Sequence, residues 1–283
     1  MARTHKTLLL KVLLALSLWP SLSGISSYYY SMTPIKGGRI ALSSFCTVAL
    51  DIDPNITSAI NGGSVSDGDA VSSYVERSAN GDTWSESGTN RLTWKQNIIN
   101  GRGVFRVDPT AGQRLKSSAR QLLTAGSAFT IIADVYLNSF DQAYKYFGSF
   151  KGASGSASPS IAFSTNASYK DLYFGADVTW MVNRWTTISS ITGAWKLIIV
   201  RYTGGTATSG SSYEAYSGSS QLTRTGTSGN DGDATYNLVG AYKTASNPYG
   251  WNGDIGRFVV CSNDIGSSGV TTAAAWNLQE YNF

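Results

Sequence analysis

The sequence predicts an all-β fold, a two-sheet antiparallel sandwich that encloses nearly the whole chain, and three observations carry that prediction. From Phe45 onward, short apolar and aromatic runs alternate with Gly, Ser, Asn and Asp at the spacing of strands and turns. Only 14% of the residues are charged, while 30 Gly, 8 Trp and 16 Tyr fit many strands joined by uncharged turns. A length of 283 residues suffices to bury one large core, so a single main domain is expected.

Taken in order, strands are expected over 45–52, 70–77, 103–107, 129–137, 145–150, 160–164, 172–178, 195–202, 212–216, 236–241 and 257–261. Two of these runs, Phe-Thr-Ile-Ile-Ala-Asp-Val-Tyr-Leu from Phe129 and Trp-Lys-Leu-Ile-Ile-Val-Arg-Tyr from Trp195, are apolar on both faces. Such runs belong in the middle of a sheet. Helical signals are sparse: a short turn of helix is expected within 112–123, and the Ala-rich stretch 271–281 reads as a short C-terminal helix. The glycine-rich stretches 152–158, 204–212 and 226–232 are too short and too evenly spread to divide the chain, and read as loops.

Residues 1–40 read as a separate basic and apolar arm, with the sandwich over 41–283. The arm carries Arg3, Lys6, Lys11, Lys36 and Arg39 and no acid. Removing those five of the 22 bases leaves 17 against 18 acids in the body, which therefore lacks the electrostatic footprint of a nucleic-acid binder. The apolar run 8–19, interrupted by Lys11, would span roughly 18 Å as a helix, short of a hydrocarbon core of roughly 30 Å. No transmembrane anchor is expected. Residues 1–24 have the layout of a secretory signal, and the same stretch, if retained, would need a partner subunit or an assembly to cover its apolar residues. Retention as a docking arm is the reading taken forward.

Several motifs follow one another in order over residues 49–283. These are Ala-Leu-Asp-Ile-Asp-Pro at 49–54, Gly-Gly-Ser-Val at 62–65 and Ser-Tyr-Val-Glu-Arg-Ser-Ala-Asn-Gly-Asp at 73–82. There follow Asn-Gly-Arg-Gly-Val-Phe-Arg-Val-Asp at 100–108, the strand 195–202 with 212–218, and the closing Gly-Asp-Ile-Gly-Arg-Phe-Val-Val at 253–260. Their order resembles the concanavalin A-like, laminin-G-like jelly-roll superfamily. The resemblance implies a jelly-roll sandwich whose first and last strands are neighbours, which would bring Cys46 and Cys261 close. A disulfide and a pair of buried thiols are both compatible with that. It also implies a fold that hosts lectins, glycosidases and scaffold modules, so function must be argued from sites.

Chemistry is hard to find. The only histidine, His5, lies in the arm, which excludes a Ser-His-Asp arrangement in the sandwich and a structural zinc site built on the two cysteines. Glycosidases of the resembled fold carry glutamates at alternating positions of one strand. Here Glu76, Glu86, Glu214 and Glu280 are isolated, and the pairs Asp51/Asp53, Asp67/Asp69 and Asp231/Asp233 sit near turns that Asp favours for its own hydrogen bonding. No enzyme is expected and no cofactor, with calcium at Asp231 and Asp233 as the one candidate, since related domains bind it through loop oxygens. Gly101-Arg102-Gly103 precedes a strand and reads as a turn. Asn55-Ile56-Thr57 and Asn166-Ala167-Ser168 are glycosylation sequons.

Aromatics among polar loop residues are the best candidates for binding. Trp180, Asn183 and Trp185 form one cluster, and Tyr242, Asn247, Tyr249 and Trp251 another. Sugar rings present apolar faces and hydroxyl edges, which such pairs match, although aromatics in a sandwich more often pack in the core. The expectation is therefore a non-enzymatic surface protein, a bacteriophage head-decoration or tail-fibre component on the virion surface. Its arm would dock on other virion proteins or on itself, as a homo-oligomer, with a cell-surface glycan as the ligand. The alternatives are a secreted bacterial carbohydrate-binding module and a glycoside hydrolase of the same fold.

Overall fold

The computed structural model describes residues 39–108, 111–124, 126–139, 144–151, 160–166, 169–175, 183–185, 191–205, 212–227, 236–241 and 250–283. The arm up to Gly38 lies outside them, and Arg39–Phe283 is one compact unit.

Two antiparallel sheets make up this unit. The first runs in the order β14 (Ser220–Gln221), β13 (Tyr213–Ser217), β12 (Trp195–Tyr202), β7 (Phe129–Leu137), β17 (Gly253–Cys261), β5 (Arg102–Val107) and β4 (Thr93–Ile99). In addition, β1 (Val48–Ile52) pairs with β17. The second runs β15 (Arg224–Thr227), β11 (Asn183–Trp185), β10 (Tyr169–Gly175), β9 (Ser160–Asn166), β8 (Tyr144–Ser149), β16 (Asn237–Val239), β6 (Leu115–Ser117), β3 (Thr83–Ser85) and β2 (Ser73–Val75). Neither sheet closes on itself, and the expected two-sheet jelly-roll sandwich is what forms.

Strand β17 organises the first sheet. Along one edge it pairs with β7 from Gly253↔Leu137 to Cys261↔Thr130. Along the other, Gly253–Ile255 pair with β5 and Phe258–Cys261 pair with β1. First and last strands are thus neighbours, and Cys46 and Cys261 form a disulfide with Cα atoms 5.2 Å apart.

The strands that read as apolar on both faces are central for a definite reason. Ile131, Ala133 and Val135 of β7, Ile198 and Val200 of β12, and Phe258 and Val260 of β17 point between the sheets. There they meet Phe147, Ile161, Phe163, Leu172 and Phe174 of the second sheet. Rings touch across the gap, Phe129 to Phe174 at 5.5 Å and Phe258 to Phe150 at 6.1 Å. The alternate residues Ile132, Leu197, Ile199 and Val259 face outward, and the C-terminal helix α1 (Gly266–Tyr281) covers them with Val270, Ala273 and Trp276. Side chains alternate across a strand, so both faces of this sheet are sealed and both must be apolar.

Helix α1 begins five residues before the Ala-rich stretch, and at its start Gly266 N donates to Asp264 Oδ1 at 3.0 Å. The turn of helix expected within 112–123 does not form. Leu115 and Ser117 are buried, and the segment pairs with β16 and, through Lys116, with Ser85 of β3. Sheet pairing overrides the local preference there. Strand β4 carries too many exposed polar residues to be read as a strand by itself. Its hairpin to β5 closes through Asn100 at φ 49° and Gly101 at φ 82°, the two-residue turn that Asn-Gly favours.

Candidate functional site

One open cleft of about 990 Å³ lies where the segment entering β1, the turn after β1, the starts of β5 and β17's neighbour β1, and the end of α1 converge. Its chemistry is set by arginines and buried acids. Arg257 of β17 donates from Nε and Nη2 to Asp51 of β1, both at 2.7 Å, and its guanidinium lies 4.7 Å from the Trp276 ring centre. Burial alone would lower the Arg257 pKa, and the bonds to and charge of Asp51 more than offset this, leaving it raised. Arg77, just after β2, reaches Asp53 at 3.4 Å and Asp51 at 3.7 Å through Nη1. Arg39 donates from Nε and Nη2 to the Glu280 carboxylate of α1, and Arg102 of β5 approaches the same group at 3.3 Å.

Exposure separates three of the arginines from the acids, with Arg257, 8% exposed, on the buried side. The side chains of Asp51, Asp53 and Glu280 are 6%, 7% and 8% exposed, against 68% for Arg39, 41% for Arg77 and 30% for Arg102. The floor is acidic but neutralised, and the rim is cationic. Ile40, Leu42 and Ile56 supply an apolar wall.

Behind the cleft, under α1, Asp134 accepts a hydrogen bond from Asn277 Nδ2. Burial pushes the Asp134 carboxyl up to about 8, against the opposing pull of Asn277 and the Arg257 charge. Tyr281 is raised well above its usual range, chiefly by burial and then by the charge of Asp53. Both groups are sealed and do not line the cleft.

The glutamates are spent on structure. All four glutamates are in ion pairs: Glu76 with Arg120, Glu86 with Arg114, Glu214 with Arg201, and Glu280 with Arg39 and Arg102. Asp51 and Asp53 are more than a turn feature, because Asp51 lies within β1 and shares Arg257 and Arg77 with Asp53. The Asn55 sequon is committed as well: its Nδ2 donates to Asp53 Oδ1 at 2.8 Å and its Oδ1 accepts from Gly103 N at 2.8 Å.

The candidate glycan contacts fare poorly where the structure describes them. Trp251 is fully buried, packs against Phe147 at 5.2 Å and Phe163 at 5.8 Å, and donates its indole N–H to Tyr136 O and Asp254 O. Trp185 is 1% exposed and belongs to the core between the sheets, and Asn183 beside it is fully buried. A ring enclosed in this way offers no face to a sugar, so these three residues are structural. Trp180, Tyr242, Asn247 and Tyr249 lie outside the described residues, as do Asp231 and Asp233 of the calcium candidate. Among the described residues no cluster of three or more His, Cys, Asp or Glu could hold a metal ion. No described helix is long and apolar enough to cross a membrane, which says nothing about β-barrels.

No protein-family model matches the sequence, and no curated protein does. Solved structures do resemble the fold. The binding domain of paraclostridial mosquitocidal protein 1 matches with a TM-score of 0.51 and 11% identity, over 73% of this chain and 50% of that one. The receptor-binding domain of botulinum neurotoxin type G matches at 0.50 and 10%, over 81% and 51%. A Trypanosoma rangeli sialidase in complex with sialic acid matches at 0.44 and 12%, over 76% and 32%. This chain therefore spans about half the length of the toxin domains and about a third of the sialidase. At such identities the likeness is one of fold.

The four arginines of the cleft escaped sequence reading. Positions 39, 77, 102 and 257 share no local motif, and only the pairing of β1 with β17 and the return of α1 gathers them.

Proposed function

We propose that this chain is a non-catalytic binding module, a sandwich of the concanavalin A-like kind that recognises a glycan and serves attachment. One observation carries the reading: the acids of the open cleft are bound to arginines and nearly sealed from solvent. Glycoside hydrolysis needs one carboxyl able to donate a proton and a second able to attack or to activate water. Here both oxygens of Asp51 and of Glu280 accept from one guanidinium, and Asp53 lies within 3.8 Å of two, so the acids of the cleft are engaged by arginine and not presented to a substrate. The cleft is instead of a size that accommodates a small polar ligand, with donors along its rim and an apolar wall. The toxin domains of similar fold are named for receptor binding and binding, which agrees with this reading.

The setting that we propose is a virion surface, with the basic arm docking the module on other virion proteins or on copies of itself. Four bases ahead of the sandwich, Arg3, Lys6, Lys11 and Lys36, with no acid among them, support that part. The test combines a glycan array with a turnover assay on a polysaccharide panel. Binding to at least one glycan class without release of reducing ends is expected. An empty array overturns the reading, as does turnover that disappears in Asp53→Asn or Glu280→Gln.

A further inference from the structure

We infer that the arginine-rimmed cleft is an anion subsite that takes a carboxylate or phosphate carried on a sugar, with Arg77 as its principal contact and Arg102 and Arg39 beside it. This deepens the glycan-binding reading and rests on it. It is independent of the aromatic clusters, of which the described members are buried.

Charge count comes first. Four arginines, Arg39 among them, face three carboxylates in the lining of the cleft, an excess of one positive charge there. Because the acids and Arg257 are buried while Arg39, Arg77 and Arg102 are exposed, a ligand entering the cleft meets cations before anions.

The second argument concerns unspent donors. Arg257 is committed to Asp51 through two short bonds and to Trp276 through its face. Arg77 differs: among the described residues its side chain makes only the two long contacts through Nη1. Those distances exceed the roughly 2.7–2.9 Å of a strong charge-assisted bond, and Nε and Nη2 keep a planar fork for an incoming group. Carboxylate and phosphate oxygens match that fork bidentately, whereas a neutral hydroxyl does not. Arg102 adds a charge held in place over the Tyr281 ring at 5.4 Å.

Size and wall point to the carrier. The volume accommodates one or two sugar units, and Ile40, Leu42 and Ile56 offer apolar contact to a ring face. A nucleic-acid backbone is disfavoured, because it would require a basic stripe and this body has a single local excess charge.

The experiment uses the full-length chain and titration calorimetry. Glucuronate and glucose 6-phosphate are the probes, with glucose as neutral control and inorganic phosphate as free anion. Both sugar acids are expected to bind at least 10-fold more tightly than glucose and to weaken as salt rises. Arg77→Gln is expected to lose at least 10-fold in affinity, and Arg77→Lys, which keeps the charge and removes the fork, to fall between. Arg102→Gln leaves Asp51 and Asp53 with their partners, so it supplies a several-fold loss even if Arg77→Gln fails to fold. Glucose binding as well as glucuronate, or affinities unchanged in both glutamine variants, overturns the inference. Inorganic phosphate binding as tightly as the sugar acids overturns the sugar as carrier. A positive array with neutral glycans and unchanged Arg77→Gln affinity rejects the anion subsite and keeps the binding module. Silence in both experiments rejects both.

Discussion

Replacing Asp134 by Asn should make this protein more stable, and increasingly so as pH rises. Asp134 is 1% exposed, enclosed between β7 and α1, and its carboxyl is pushed up to about 8 from 3.8, mainly by burial. Asn277 donates to it through Nδ2, while Asn277 Oδ1 is buried without a hydrogen-bond partner among the described residues. The folded-state pKa is raised, so between about pH 4 and about pH 8 the folded protein holds a proton that the unfolded chain has released. Stability therefore falls with rising pH across that window, by about 1.4 kcal/mol per unit from this group, and levels off above it. The shift corresponds to a cost on the order of 5 kcal/mol at its upper end. An asparagine keeps the acceptor and carries no charge at any pH, so Asp134→Asn removes the cost. Denaturant unfolding of both proteins at about pH 5 and about pH 8 measures the effect. The stability difference should grow by roughly 3–4 kcal/mol in favour of the variant. Parallel pH profiles would refute the reasoning, because every other titrating group is common to the two proteins.

Three further outcomes are expected. Reducing the Cys46–Cys261 disulfide, which spans 215 residues of sequence, should destabilise the fold by roughly 3–5 kcal/mol; thermal melts with and without reductant measure it, and an unchanged midpoint counts against the bond. Trp251→Ala should cost roughly 3–5 kcal/mol by emptying a core site, while Trp251→Phe should retain ligand affinity, so a selective loss of binding in the phenylalanine variant would return Trp251 to the binding surface. Gly253→Ala should cost more than about 2 kcal/mol, since its Cβ would stand 1.9 Å from Tyr136 O; a near-neutral midpoint in a thermal melt would contradict this close approach of β17 to β7.

Much of the architecture was legible in the chain. Runs such as Trp195–Tyr202 identify central strands because burial on both faces leaves no position free to be polar. The polar edge strand β4 escaped because a half-exposed strand has nothing apolar to display, although Asn100-Gly101 pointed to its hairpin. The stretch 112–123 was misread because its own preference is weaker than the pairing of Leu115–Ser117 with two neighbouring strands.

The candidate site was far less legible. Trp185 and Trp251 stand among polar residues in sequence, yet both rings turn inward, since direction depends on strand register and not on chain neighbours. Composition and periodicity alone determined that this chain makes a sandwich with central two-faced strands. Tertiary structure alone decided that α1, and not another chain, covers the outer face of the first sheet, and that Arg39, Arg77, Arg102 and Arg257 meet. The reason is physical: burial patterns repeat along the chain every two or three to four residues, whereas a site assembled by strand pairing joins residues whose separation in sequence follows no period.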